Sequence, residues 1–108
     1  MTVTLGILAL LEAKAGKGEQ LAAFLKAGRE LTVAEHGTVT WYAFKISDTS
    51  YGIFDTFDTF ATDDARTAHI NGQIPAALAQ VSADLLAREP DIRPFNVLAV
   101  KLETGWVR

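Results

Sequence analysis

Residues 38–57 read TVTWYAFKISDTSYGIFDTF. Thr38 to Ile46 and Tyr51 to Phe57 are rich in β-branched and aromatic residues, and the polar group Ser47-Asp48-Thr49-Ser50 between them can turn the chain. The two runs predict a β-hairpin. The two-residue period of a strand puts Trp41 and Tyr42 on opposite faces of the sheet, one toward helices and one toward whatever covers the far side. Parity alone does not assign them. On the second strand Tyr51, Ile53, Asp55 and Phe57 share one parity, so a carboxylate stands inside an apolar and aromatic row. Burying that charge is costly unless a cation or a hydrogen-bond donor meets it.

Working upstream, Val3, Leu5, Ile7, Ala9 and Leu11 occupy one parity, while Leu8 and Leu10 make the second face apolar as well. This pattern predicts a strand covered on both sides. Gly16 and Gly18 interrupt the chain, and Leu21, Phe24, Leu25, Gly28 and Leu31 then recur at helical spacing until Gly37 supplies a C-terminal cap after His36. Downstream, Thr62 caps a short helix whose first turn carries Asp63 and Asp64, and Gly72 closes it. Pro75 opens another helix in which Leu78, Val81 and Leu85 line one side, ending before Pro90. After Pro94, the run Phe95 to Leu102 predicts a last strand, apolar on both parities and therefore central or covered by a partner.

The order β-α-β-β-α-α-β is a split βαβ of ferredoxin-like α+β class with a four-stranded antiparallel sheet. Helices cover one face of such a sheet, and the other face must find cover too. Strands apolar on both parities predict a homodimer with sheets packed together. Trp106 in the tail either latches onto the partner or stands as a singly exposed residue.

At 108 residues the chain is expected to be one domain, 1–108, because two cores would each be too small to bury enough apolar surface. A net charge of −3 provides no electrostatic footprint for a phosphate backbone, so nucleic acid is not expected as a partner. The lack of cysteine removes disulfides, thiolate nucleophiles and Cys-ligated zinc, and it fits a cytoplasmic protein. Leu5 to Leu11 is far shorter than the roughly 20 apolar residues of a membrane span and lacks the basic flank of a signal peptide.

Three segments resemble the antibiotic-biosynthesis monooxygenases and their quinol-monooxygenase relatives. Glu35-His36-Gly37 resembles the family's Glu-Pro-Gly at the end of the first helix, Asp55-Thr56-Phe57 its Glu-Val-Trp at the end of the third strand, and Ala68-His69 its Ala-His pair in the following helix. The resemblance implies a homodimeric α/β barrel with a pocket between sheet and helices, in which some members oxygenate anthrones or quinols without metal or flavin. The chain departs from the pattern at His36, in place of proline, and at Phe57, in place of a tryptophan associated with the pocket.

His69 shares a helical face with Ala65 and Ala68, the side expected to pack on the sheet. An imidazole there can take a proton from a phenol or hydroquinone, leaving an electron-rich anion able to reduce oxygen. The alternative is a structural histidine bonded to a backbone carbonyl. Asp55 either orients and charges His69 as a catalytic partner, or accepts hydrogen bonds from backbone or Arg66. Trp41, Phe44 and Phe57 are candidate substrate-binding aromatics, against a plain core or interface role. Asn71 either caps its helix or contacts substrate, and His36 at a helix end is explained by the dipole. No spacing typical of a metal site or phosphate loop occurs, so no metal and no cofactor is expected.

Two functions follow from the sequence. One is a cofactor-independent oxygenase acting with molecular oxygen on a phenolic, quinol or polyketide aromatic. The other is a non-catalytic small-molecule-binding or stress-associated barrel, favoured by the missing family tryptophan. Haem degradation is a third and weaker reading, since the third strand lacks a tryptophan to ruffle the porphyrin.

Overall fold

The computed structural model describes residues 3–35, 37–58 and 73–101. Strand β1 spans Val3–Glu12, helix α1 Gly18–Val33, strands β2 and β3 Thr38–Lys45 and Ser50–Asp58, helix α2 Gln73–Leu85, and strand β4 Asp91–Asn96. The strands form one antiparallel sheet in the order β2-β3-β1-β4. Because β1 and β2 both run antiparallel to β3, they are parallel to each other across it, and α1 is the crossover of the split βαβ. The fold is ferredoxin-like α+β.

Alternation in β1 decides which face meets the helices. Ile7, Ala9 and Leu11 are buried, while Leu8 and Leu10 on the opposite parity are only half-buried. From α1 the buried positions are Gly18, Leu21, Leu25, Gly28 and Thr32, a single stripe at steps of three and four. Ile74, Leu78 and Leu85 make the corresponding stripe on α2. Ala9, Leu11, Tyr51 and Ile53 from the sheet join Leu21, Leu25 and Leu78 in one apolar cluster. Ile7 and Phe57 form a smaller cluster beside it. Beyond α2 the chain returns to the end of β1, where Lys14 N donates to Leu85 O at 2.8 Å and Ala87 N donates to Glu12 O at 2.8 Å.

Three expectations are corrected. The helix α1 stops at Val33 rather than at His36, and Gly37, with φ of 94°, turns the chain into β2 instead of capping the helix. The last strand begins at Asp91, not after Pro94, and residues 97–101 are not part of it. Proline has no N–H to donate, but among the described residues β4 lies at the sheet edge, where one side of its ladder is unpaired, so Pro94 fits opposite Ile7. For the same reason β4 is an edge strand rather than a central one, and most of its residues are exposed. The assignment of Trp41 and Tyr42 is also settled. Trp41 is half-buried against the helix-side cluster, and Tyr42 stands 60% exposed on the other face.

That other face is open among the described residues and largely aromatic. Phe54 packs between Tyr42, at a centroid distance of 6.2 Å, and Phe95, stacked at 5.1 Å. The rings of Phe95 and Phe44 lie over Gly6 and Gly52, in space a Cβ at either glycine would fill. Thr40 and Thr56 share a hydrogen bond of 2.6 Å across the same face.

Candidate functional site

The third strand carries its inward row, Tyr51, Ile53, Asp55 and Phe57, directly under the helices, and all four are buried. Asp55 is 1% exposed and Phe57 is fully covered. Cross-strand pairing sets Asp55 opposite Trp41 on one side and Ile7 on the other, with Pro94 completing the row. The next row along is Ala43, Ile53, Ala9 and Ile92. Ala9 is the small residue at the middle of the sheet, and the space it leaves lies below α2.

A cavity of about 130 Å³ occupies that space, lined by Ile7, Ala9, Ile53, Asp55, Ile74, Pro75, Leu78 and Ile92. Seven of these eight side chains are apolar, and the Asp55 carboxylate is the one polar group. Such a site can hold an apolar ring and accept one hydrogen bond from a hydroxyl on it. A wider groove of about 700 Å³ between the start of α1 and the end of α2 is lined by Lys14, Lys17, Gln20 and Asp84. It opens broadly to solvent and holds no buried charge, so the smaller cavity is the better candidate.

The residues singled out from sequence separate in space. Asp55 is in the cavity wall. Phe57 packs with Ile7, one of the lining residues, but does not itself line the cavity. Trp41 lies on the same face one strand away, with the far edge of its indole over Gly28. Its Nε1 is buried and has no hydrogen-bond partner among the described residues. Phe44 is not brought to the cavity: it is on the opposite face of the sheet, over Gly52. His69, Asn71, Arg66, the short helix from Thr62 to Gly72, His36 and Trp106 lie outside the described residues. Sequence reasoning did not pick out Ala9, Ile74, Pro75 or Ile92. Strand parity marked Ala9 as inward-facing, but Ile74 and Ile92 fell outside the elements the sequence predicted, and nothing in the pattern marked any of the four as lining a void.

Among the described residues, no group of three or more His, Cys, Asp or Glu side chains is placed to hold a metal ion. No helix among them is long and apolar enough to cross a membrane. Two carboxyls, Glu12 and Asp91, are held below their ordinary values. Glu12 is held below its ordinary value mainly by the Ser50 hydroxyl, which donates to it at 2.6 Å, with Thr49 and the Arg88 charge adding to the effect. Asp91 is lowered by Arg93, whose Nε and Nη2 both donate to Oδ2, at 3.0 and 2.7 Å.

The solved structures most informative about the chain include the NE2512 protein of unknown function from Nitrosomonas europaea. It is 42% identical, with 95% of this chain and 97% of that one covered, and a TM-score of 0.88. The chain belongs to the NE2512 family. PA3566 from Pseudomonas aeruginosa superposes on this NE2512-family fold with a TM-score of 0.77 at 21% identity, over 92% of this chain and 98% of that one. A second Nitrosomonas europaea protein, provisionally named an antibiotic biosynthesis monooxygenase, does so with a TM-score of 0.75 at 15% identity, over 88% and 90%. At those identities the likeness establishes shared fold. No family model and no curated protein matches the chain.

Proposed function

We propose that the protein is a cofactor-independent monooxygenase that oxidises a phenolic, quinol or polyketide aromatic, with the ring held in the cavity against Asp55. The observation that carries this reading is a carboxylate at 1% exposure forming the one polar group in the apolar wall of a cavity. Similarity of fold to proteins provisionally named antibiotic biosynthesis monooxygenases supports it.

In this mechanism His69, on the connection that leaves β3, removes the hydroxyl proton of the bound ring. Asp55 orients the imidazole and stabilises its charged form. Phe57 backs the Ile7 wall, and Trp41 and Asn71 contribute polar contacts to substrate. For a hydroquinone the substrate supplies both electrons: one oxygen atom of O₂ enters the ring, the other leaves as water, and the product is a hydroxyquinone. Excluding water from the apolar cavity protects the anion while it meets oxygen.

The same proposal has residues 1–108 acting as one domain and as a cytoplasmic homodimer. The aromatic row of Tyr42, Phe54 and Phe95 supports the dimer, since a second sheet laid on it would cover surface that is apolar and open in one copy. The small cavity volume favours a second reading, a binding protein that holds a ring without turning it over. Oxygen uptake with a panel of hydroquinones separates the two. Turnover by the wild type that falls in both His69→Ala and Asp55→Ala, with both variants still folded, supports the oxygenase. Uptake that survives both changes removes the dyad, and no uptake with any hydroquinone leaves the binding protein.

A further inference from the structure

The cavity is small enough to choose its ligand by ring count. Its volume of about 130 Å³ is below the several hundred that enclose a drug-sized molecule, and close to the roughly 150 Å³ that admits one benzene ring in an engineered core. One side is fixed by Asp55, at the centre of the sheet. Ile92 pairs with Ala9 on the edge strand β4, lines the cavity, and is 49% exposed. A side chain that both lines a void and reaches solvent stands at its mouth.

We infer that Ile92 is the specificity-determining residue of a one-ring site: the cavity accepts a phenol or hydroquinone with a single six-membered ring and rejects fused two-ring and three-ring aromatics. The inference rests on the proposed function only in taking the cavity as the aromatic site, and binding tests it without turnover. A single ring with its hydroxyl on Asp55 matches the volume of the cavity, and Ile92 is the solvent-reaching lining side chain that a second fused ring would have to displace. Rigid apolar walls discriminate shape steeply when the extra group has nowhere to go.

The cavity carries its own reporters, since Ile7, Ile53, Ile74 and Ile92 line it while Ile46 is exposed elsewhere. Full-length protein with labelled isoleucine methyls would be titrated under nitrogen with phenol and with 2-naphthol. In the wild type phenol is expected to shift the four cavity methyls and not Ile46, and 2-naphthol to leave those four unshifted. In Ile92→Ala the preference for phenol over 2-naphthol is expected to fall by about tenfold or more, and in Ile92→Trp phenol should no longer reach the cavity methyls. Equal binding of the two ligands by the wild type overturns the inference, as does an unchanged preference in Ile92→Ala or a failure of phenol to shift the cavity methyls. Size-selective binding without oxygen uptake upholds the one-ring site and sinks the oxygenase instead.

Discussion

Trp41 and Asp55 face each other directly across the β2–β3 ladder, both on the helix-covered side of the sheet. The indole brings a buried N–H with no acceptor among the described residues, and Asp55 brings a buried carboxylate that lines the cavity. Leaving a buried donor unmade costs about 1–3 kcal/mol, a cost an enzyme site tolerates where a ligand supplies the acceptor. Trp41→Phe removes that donor and also the far edge of the indole that lies over Gly28. The expected outcome is a lower melting temperature, from the packing lost over Gly28, together with a KM for a hydroquinone raised about fivefold, the worth of one hydrogen bond. A lowered melting temperature with an unchanged KM assigns the indole to packing alone.

Gly52 and Gly6 seat the rings of Phe44 and Phe95 flat on the open face. Gly52→Ala puts a methyl group where the Phe44 ring lies and is expected to destabilise the fold by about 1–3 kcal/mol, in the range of overpacking. Combining it with Phe44→Leu should restore part of the loss, measured by thermal unfolding. Additive losses in the double variant would show that the ring and the glycine do not meet.

Phe54 is the centre of the aromatic row, touching both Tyr42 and Phe95. If a second copy covers this face, Phe54→Asp buries an unpaired charge in the interface and should weaken association by about 3 kcal/mol, roughly a hundredfold in Kd. Sedimentation equilibrium reads this directly. A wild type that sediments as a monomer at high concentration contradicts the dimer.

Glu12 links stability to pH. Its folded-state pKa is depressed, chiefly by the Ser50 hydroxyl, so its stabilising contribution is present above the ordinary value of 4.5 and is lost as the pH falls through the lower folded value. Ser50→Ala should therefore unfold at lower denaturant concentration than wild type at neutral pH, with the gap closing in acid. A gap of equal size at both pH values would place the effect of Ser50 elsewhere.

These tests also mark where sequence was informative. Parity in β1 and β3 and the stripes of α1 and α2 are consequences of burial on one face, so the architecture is readable from one dimension. Pro94 was misread because a proline that ends a central strand is harmless at an edge, and edge position is a property of the assembled sheet. The pairing of Trp41 with Phe44 as pocket aromatics conflicted with the strand period itself, since residues three apart point to opposite faces: Trp41 packs on the helix side without lining the cavity, and Phe44 lies on the other face. The cavity was invisible because it arises from what Ala9 omits between Ile7, Ile53 and Leu78.

The central claim is that the Asp55 cavity is where an aromatic ring is oxygenated by O₂ using the substrate's own electrons. Mass spectrometry of the product formed from a one-ring hydroquinone under isotopically labelled dioxygen, with chelator present and no added flavin, tests it most directly. The expected product is a hydroxyquinone carrying one labelled oxygen atom, formed by wild type and lost in Asp55→Asn. A product whose new oxygen comes from water, or labelled product formed equally by Asp55→Asn, would contradict it.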